Sequence, residues 1–456
     1  MPKVMLEVAG IPLLVRNLTL LRETLNITEA VLVVGHRGEY VREKLGDGAA
    51  LGMTLRYVDN PDVDGGLGTL LLAIEPHVQE PFVLLLGDEL YVESNHADLT
   101  VVPDGWEVIC GVHECDDDLL IRKNYSVELQ DGRIVGLVEK PEQLPNRYLG
   151  CGTYCFTPAI YADAHATPRS ARTGRLELTD IIDHAARRGA VVLPFVIGGQ
   201  YLNVNSVEDL NLANFVVRSL LFDRQRVSVV IPAYNEAASI GHVVRDFLPL
   251  ADEVVVMDNC SADGTGDLAR EAGATVYSRT LRGYGDAIMQ GMDAATGDVL
   301  VLVEADGTFR AKDMGKLLEY LKDADMVIGT RTTRQLIEQG ANMDGLLRWG
   351  NVVVGKLIEG LWWGREPRFT DVGCTYRAVW RDAWRKIRPF LTRFDAAFSP
   401  EMMIEMLRVE GRVIEVPVSY YGRRGGESKH SSSRWHSVRT GLKMVGLILQ
   451  KRFNFG

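Results

Sequence analysis

VSVVIPAYNE (227–236) is an apolar run that stops on Pro232, Tyr234, Asn235 and Glu236 before a helical pattern begins. Apolar residues at consecutive positions suit a strand covered on both faces, as in a parallel sheet. EVVVMD (253–258), DVLVLVEAD (298–306) and DMVIGT (325–330) have the same character, separated by amphipathic segments. In parallel α/β sheets, ligands bind in the crevice beyond the carboxyl ends of the strands. Asp258, Glu304 and Asp306 fall at such ends, so the spacing predicts an α/β domain with an acidic site.

Upstream the same texture recurs. AVLVVG (30–35), FVLLLGD (82–88), WEVICGV (106–112), YLGCGTYCF (148–156) and VVLPFVI (191–197) read as strands. SVEDLNLANFVVRSLLF (206–222) reads as a helix in which Ser206 caps the start and Asp209 completes a capping box. Only DRQR separates it from the strand at 227. The expected organisation is two domains, 1–222 and 223–456. The fold class is α/β, with two tandem Rossmann-like domains built on mixed, mostly parallel sheets.

Composition narrows the function. The chain has 456 residues, 46% hydrophobic and 24% charged, which excludes disorder and a disulfide-stapled mini-protein. A net charge of −11 argues against general nucleic-acid binding. Basic residues concentrate at the end, where residues 421–456 carry eight Lys and Arg against Glu427 alone. Cys110, Cys115, Cys151 and Cys155 lie in strand-like runs and read as reduced thiols rather than zinc ligands. No run of ~18 apolar residues and no signal-peptide core is present, so a cytoplasmic protein is expected. Trp435, Val438, Leu442, Val445 and Leu449 recur at helical spacing among Arg434, Arg439, Lys443 and Lys451. Such a basic amphipathic helix lies on a bilayer or docks on the body. GNVVVGKLIEGLWWG (350–364) is a second interfacial candidate. A peripheral position at the inner face of the membrane is therefore also expected.

Glu304 and Asp306 flank one alanine at a strand end. Paired carboxylates there can hold Mg²⁺ or Mn²⁺ against a diphosphate, because these cations prefer hard oxygen ligands. NCSADGT (259–265), RGYGDA (282–287), VEADGTF (303–309), GTR (329–331), LRWGN (347–351), TDVGCTYRA (370–378) and RRGGESK (423–429) follow in order. Together they resemble family 2 glycosyltransferases of the GT-A fold, of the dolichyl-phosphate mannose synthase type, over nearly the whole second half. The resemblance implies that Pro232, Tyr234, Asn235, Glu236 and Asp258 hold the nucleotide of a nucleotide-sugar donor. It implies that Glu304 and Asp306 occupy the D-x-D metal motif, with Glu304 standing where the family has Asp. It also implies that Arg331, Arg348, Arg377, Arg423 and Lys429 line a site for a lipid phosphate acceptor. A phosphate with a second pKa near ~6 is already an anionic nucleophile at neutral pH. No protein base is then required, and inverting transfer is expected.

In the first half, KVMLEVAGIPLLVRNL (3–18), GGLGT (65–69), LLLGD (84–88), VEKP (138–141), ELTD (177–180) and YLNVNSVEDL (201–210) resemble sugar-phosphate nucleotidyltransferases. The resemblance implies that Lys3 contacts phosphate and that Gly66 and Gly68 pass close to the base. Asp88 would hold metal, with Asn203 or Asn205 at the second metal position. Glu139 and Lys140 would contact the sugar. Family members open with a strand and a G-x-G-T-R loop, whereas here Met1 lies almost directly before the Lys3 motif. Either the start lies upstream, or this half does not make nucleotide-sugars. The expected function is a metal-dependent glycosyltransferase acting on a polyprenyl-phosphate-like acceptor, fused to a domain that makes or once made its donor. The alternatives are a non-catalytic first half serving as scaffold, or a nucleotide-sugar-binding regulatory protein.

Overall fold

In the computed structural model the chain divides into two compact units, Met1–Ala213 and Asn214–Gly456. The structure describes residues 1–453 apart from 63, 102–103, 279–282, 339–340, 342–344, 366 and 425–433, with backbone alone at 345–347 and 434–438. The unit boundary falls inside the helix Val207–Leu221. That helix starts on the capping box read from sequence. Ser206 Oγ accepts the Asp209 N–H at 3.1 Å, and Asp209 Oδ2 accepts the Ser206 N–H at 2.8 Å.

The second unit is built on one seven-stranded sheet. Its order is Thr275–Ser278, Glu253–Asp258, Val227–Ala233, Val299–Leu302, Arg377–Trp380, Met326–Thr330 and Val413–Pro417. Arg377–Trp380 runs against its two neighbours, and the other pairings are parallel. Helices cover the sheet, so the inner strands are dry. Val229, Val230, Ile231 and Val299–Val301 are all 0% exposed. The helix Tyr284–Ala294 lies so close that a Cβ on Gly291 would meet Val230 Cγ1 at 2.6 Å. Val227–Ala233 has parallel neighbours on both sides, which places a crevice at its carboxyl end.

The first unit is assembled from smaller sheets. Val192–Val196, Val108–Glu114, Tyr148–Phe156 and Phe82–Leu85 form a four-stranded sheet. Among the described residues, Glu29–Val34 pairs in parallel with Thr54–Asp59 alone, and Glu89–Val92 with Gln200–Asn203. A hairpin, Tyr125–Gln130 and Arg133–Glu139, packs alongside. The fold is α/β with mixed sheets, and the parallel character is strongest in the second unit.

The terminal helix Arg434–Phe453 modifies the expectation for the tail. Among its described side chains Met444, Leu447 and Ile448 are buried, whereas Leu442 and Leu449 face outward. Lys451 is anchored beneath it on Glu401 and Glu405 at 2.9 and 2.8 Å. Of the stripe read from sequence, Val445 packs against the core and Leu442 and Leu449 face outward, while the side chains of Trp435 and Val438 lie outside the described residues. No helix among the described residues is long and apolar enough to cross a membrane. The six cysteines are free thiols, and Cys110, Cys151, Cys155 and Cys374 are buried.

Candidate functional site

In the second unit, two turns at adjacent strand ends are laced together. Asn235 adopts φ +51° beyond the strand Val227–Ala233, and its Oδ1 accepts the Ala262 N–H at 3.0 Å. Ser261 Oγ accepts the Asn235 N–H at 2.9 Å, and Thr265 Oγ1 accepts the Glu236 N–H at 2.9 Å. Asp258 Oδ1 accepts the Ser261 N–H at 3.1 Å. Side chains of the NCSADGT turn thus fix the backbone after Pro232 and Tyr234.

Across the crevice, Asp306 is 7% exposed, and its Oδ1 accepts both the Thr308 N–H at 3.0 Å and the Thr308 hydroxyl at 2.7 Å. Its Oδ2 faces Arg423 Nε at 3.9 Å, and Arg423 also pairs with Glu236. Arg424 donates its N–H to the Asp306 carbonyl at 3.2 Å. The 423–424 segment therefore draws Glu236 and Asp306 onto one guanidinium. Among the described residues, Arg423 Nε is a buried donor without a hydrogen-bond partner.

Glu304 behaves differently from Asp306. Its Oε1 accepts the Thr375 hydroxyl at 2.7 Å, and Thr375 in turn meets the Tyr284 hydroxyl at 3.1 Å. Burial, reinforced by the nearby Asp306 charge, raises its pKa. Two of the arginines named from sequence are held within the fold. Arg331 clamps Asp371 through Nε at 2.7 Å and Nη2 at 2.8 Å, and its guanidinium lies over the Tyr420 ring. Arg377 is 1% exposed and donates to the carbonyls of Cys374, Ser399 and Val372 at 2.8, 2.7 and 3.1 Å. This corrects the expectation that Arg377 lines a phosphate site: its donors are satisfied by backbone, and burial lowers its pKa to about 10. Arg348 lies half-buried on the helix Gly345–Leu361, and Lys429 lies outside the described residues.

In the first unit, residues far apart in sequence converge. Lys3 Nζ donates to Asp88 Oδ2 at 2.6 Å and to Asn205 Oδ1 at 2.5 Å, and Asn205 Nδ2 donates to Asn203 Oδ1 at 2.9 Å. Gly66 and Gly68 serve the chain itself. A Cβ at either would lie within 2.8 Å of the Leu176 carbonyl, and that carbonyl accepts the Gly68 N–H at 2.8 Å. Glu139 ends a hairpin strand with Arg172 at 3.8 Å, and burial raises its pKa. Lys140 follows with φ +51°. Among the described residues, no hydrogen bond or ion pair links these two to the Lys3 cluster.

Sequence reasoning missed two buried carboxylates, Glu89 and Asp371, and the half-buried Glu415, which support these sites. Glu89, beside Asp88, is 2% exposed and accepts from the Tyr91 and Tyr201 hydroxyls and the Gly152 N–H. Burial pushes its carboxyl up to about 7. Asp371 holds Arg331, and Glu415 holds the Asp371 N–H at 2.7 Å. The available signal was an acidic residue set within an otherwise apolar strand, as in GDELYV (87–92) and VIEVP (413–417).

The family resemblance implies Mg²⁺ or Mn²⁺, and the donor chemistry fits. Asp306 Oδ2, which already faces a cation, is a hard oxygen at the crevice, and Asp88 with the amide oxygens of Asn203 and Asn205 offers a comparable set. Among the described residues no cluster of three or more His, Cys, Asp or Glu forms a metal cage. Mg²⁺ does not demand one, since it usually keeps waters and substrate phosphates beside one or two carboxylates.

Strand-end carboxylates locked to polar turns thus line the crevice of the second α/β unit, and comparison with known proteins places both units among transferases. Residues 228–373 match the family described as glycosyl transferase family 2, and residues 1–214 match the nucleotidyl transferase family. The chain is 31% identical to an undecaprenyl-phosphate mannosyltransferase of Micrococcus luteus, over 45% of this chain and 88% of that one. It is 32% identical to a UTP–glucose-1-phosphate uridylyltransferase of Haloferax volcanii, over 46% of this chain and 84% of that one. Among solved structures, a glucosyl-3-phosphoglycerate synthase from Mycobacterium tuberculosis aligns with a TM-score of 0.41 at 19% identity, covering 52% of this chain and 84% of that one. The chain belongs to the family 2 glycosyltransferases and carries a nucleotidyltransferase domain fused ahead of them: it is an enzyme.

Proposed function

We propose that the second unit transfers a glycosyl group from a nucleotide-sugar to a polyprenyl-phosphate-type acceptor, with a divalent cation at Asp306. The carrying observation is the convergence of Glu236, Asp306 and the half-buried Arg423, whose Nε is shut off from solvent, at one crevice. In the reaction an acceptor phosphate oxygen bonds to the anomeric carbon while the bond to the nucleoside diphosphate breaks, inverting that carbon. The phosphate is already ionised, so no residue needs to take a proton. Asp258 and the laced turns would orient the nucleoside, and Arg423 would meet phosphate oxygens. When bound, the metal would neutralise charge on the departing diphosphate. Glu304, fixed by Thr375, would shape the site beside Asp306. The relative of similar sequence named for undecaprenyl-phosphate mannosyl transfer supports this acceptor class.

Peripheral membrane contact accompanies this reading. Trp349, Val353, Trp363 and Leu442 are each more than 60% exposed, and the two helices carrying Trp349 and Leu442 pack together. Lys443 and Arg452 lie on the same terminal helix, suiting an anionic interface.

For the first unit the reading is condensation of a nucleoside triphosphate with a sugar 1-phosphate at Lys3, Asp88, Asn203 and Asn205, releasing pyrophosphate. The scaffold alternative is favoured by the incompletely paired strands of this unit.

The test incubates the protein with a broad panel of nucleotide-sugars, polyprenyl phosphate in vesicles, and Mg²⁺ or Mn²⁺. Glycolipid product is expected, and no product across the panel overturns the reading. Asp306→Ala is expected to lower turnover by roughly 100-fold or more; unchanged turnover removes the metal assignment. Pyrophosphate release from triphosphate and sugar 1-phosphate decides between a catalytic and a scaffold first unit.

A further inference from the structure

Four cations of the second unit gather beside the crevice without a carboxylate of their own. They are Arg245 on the helix Ile240–Phe247, Arg310 and Lys312 around the turn Ala311–Asp313, and Arg424. Among the described residues none of the four is ion-paired, although the chain carries a net charge of −11. Two carboxylates face the group, and both are engaged. Asp246 Oδ2 accepts the Ala311 N–H at 2.9 Å, and Asp313 accepts the Ser419 N–H at 2.8 Å and pairs with Lys316.

The fold holds these cations in place. Arg310 is fixed at three points: its carbonyl accepts the Tyr376 hydroxyl at 3.2 Å, its Nη1 donates to His242 Nε2 at 2.8 Å, and its guanidinium lies 5.1 Å from the centre of the Tyr421 ring. Lys312 Nζ lies 5.3 Å from the centre of the same ring. Tyr421 is itself tied down, its N–H donating to the Thr308 carbonyl at 2.9 Å. Arg424 runs along Gly307, where φ is +74° and a Cβ would meet Arg424 Cδ at 3.3 Å. Burial, with the charges of Arg424 and Arg310, lowers the His242 pKa, so the imidazole accepts in its neutral form. Arg423 turns to Glu236 and Asp306, whereas its neighbour Arg424 adds its charge to the His242 side.

We propose that Arg310, Lys312 and Arg424 form a phosphate-binding site separate from the crevice, which takes a terminal phosphate group. Two guanidinium forks and an ammonium match a group that carries about two negative charges and three acceptor oxygens. A carboxylate, with one charge and two oxygens, would fill only part of this set. Arg310 is already held in one geometry, so little side-chain freedom is lost when an anion binds. Arg245 lends its charge from the rim. The phosphate belongs to a lipid headgroup or to a soluble phosphate, since both present the same oxygens. The site stands on its own residues and does not depend on the transfer reaction proposed above.

The test measures two kinds of binding to the full chain. Radiolabelled inorganic phosphate is followed by equilibrium dialysis, and phosphatidylcholine vesicles with and without phosphatidic acid are followed by flotation. The chain is compared with the double variant Arg310→Gln, Lys312→Gln and with Arg423→Gln. Binding of phosphate, or of vesicles only when they hold phosphatidic acid, is expected. It should weaken at least about tenfold in the double variant and less than about twofold in Arg423→Gln. Phosphate bound without vesicles identifies a soluble ligand, and vesicles bound without phosphate identify a headgroup. Arg310 is half-buried, so if that pair does not fold, Lys312→Gln with Arg424→Gln, both exposed, takes its place. No binding in either arm overturns the proposal. Binding that the double variant leaves within about twofold, or that Arg423→Gln removes instead, overturns it too, because the anion then sits elsewhere.

Discussion

The two units carry similar apolar strands and treat them differently. In the second, Val227–Ala233 and Val299–Leu302 are paired on both sides, and their central valines are sealed from solvent. In the first, Glu29–Val34 and Phe82–Leu85 are just as apolar but paired on one side, and their side chains stay half-buried. Hydrophobic sequence alone does not make a core. A strand is buried when neighbours occupy both edges as well as both faces, because ladder partners close the backbone and bring the covering layers into contact.

The largest expected effect comes from charging equivalent positions. Val230→Asp places a carboxylate where exposure is 0% and should cost more than about 4 kcal/mol, enough to unfold the second unit. Leu84→Asp lines a cavity that can solvate it and should cost roughly half as much or less. Urea unfolding followed by near-ultraviolet spectra measures both, and equal losses would break the comparison.

Buried carboxylates sharpen it next. Asp371 is 0% exposed and holds Arg331, itself nearly buried, so Asp371→Ala should cost about 3–5 kcal/mol by leaving that charge unpaired. Asp163 in the first unit is as buried, but its partner Arg188 is 39% exposed and can return to water. Asp163→Ala should therefore cost less, about 1–3 kcal/mol. Denaturation midpoints of the two variants give the order.

A pH effect common to both units comes third. Glu89 and Glu415 each have carboxyls pushed up to about 7 by burial, above the unfolded value. Their protonated forms favour the folded state, so their contribution is full below about pH 4.5 and is lost as pH rises through about 7. Glu89→Gln should flatten that decline for the first unit and Glu415→Gln for the second, at about 1.4 kcal/mol per pKa unit. Thermal melts between pH 4.5 and 7.5 read it, and unchanged slopes would remove the assignment. Smallest of all, Arg270→Ala breaks an exposed pair with Asp267 and should change stability by less than about 0.5 kcal/mol.

Continuous apolar runs made much of the fold legible in the sequence. EVVVMD and YLGCGTYCF coincide with observed strands, and the helix at 207–221 starts on its expected cap. Thr54–Asp59 and Tyr125–Gln130 were not legible, since polar residues interrupt them and pairing, not periodicity, makes them strands. The site was legible where a motif ends a strand. Lys3, Asp88, Asn203 and Asn205 were named separately and meet. Asp371, Thr375 and Glu415 were missed because their partners lie 40 to 91 residues away, across strands whose order the sequence does not state. Arg377 was misread for the same reason: basic character is visible in a sequence, but the direction in which a guanidinium points is not.

Lys3 has a further consequence, for the order of events during synthesis. It leaves the ribosome 202 residues ahead of its partner Asn205. The first unit's polar cluster is closed only when nearly the whole unit has been made. A nascent chain halted before that point carries the lysine and Asp88 without the turn that completes them. Maturation of this site is therefore timed by elongation rather than by local folding.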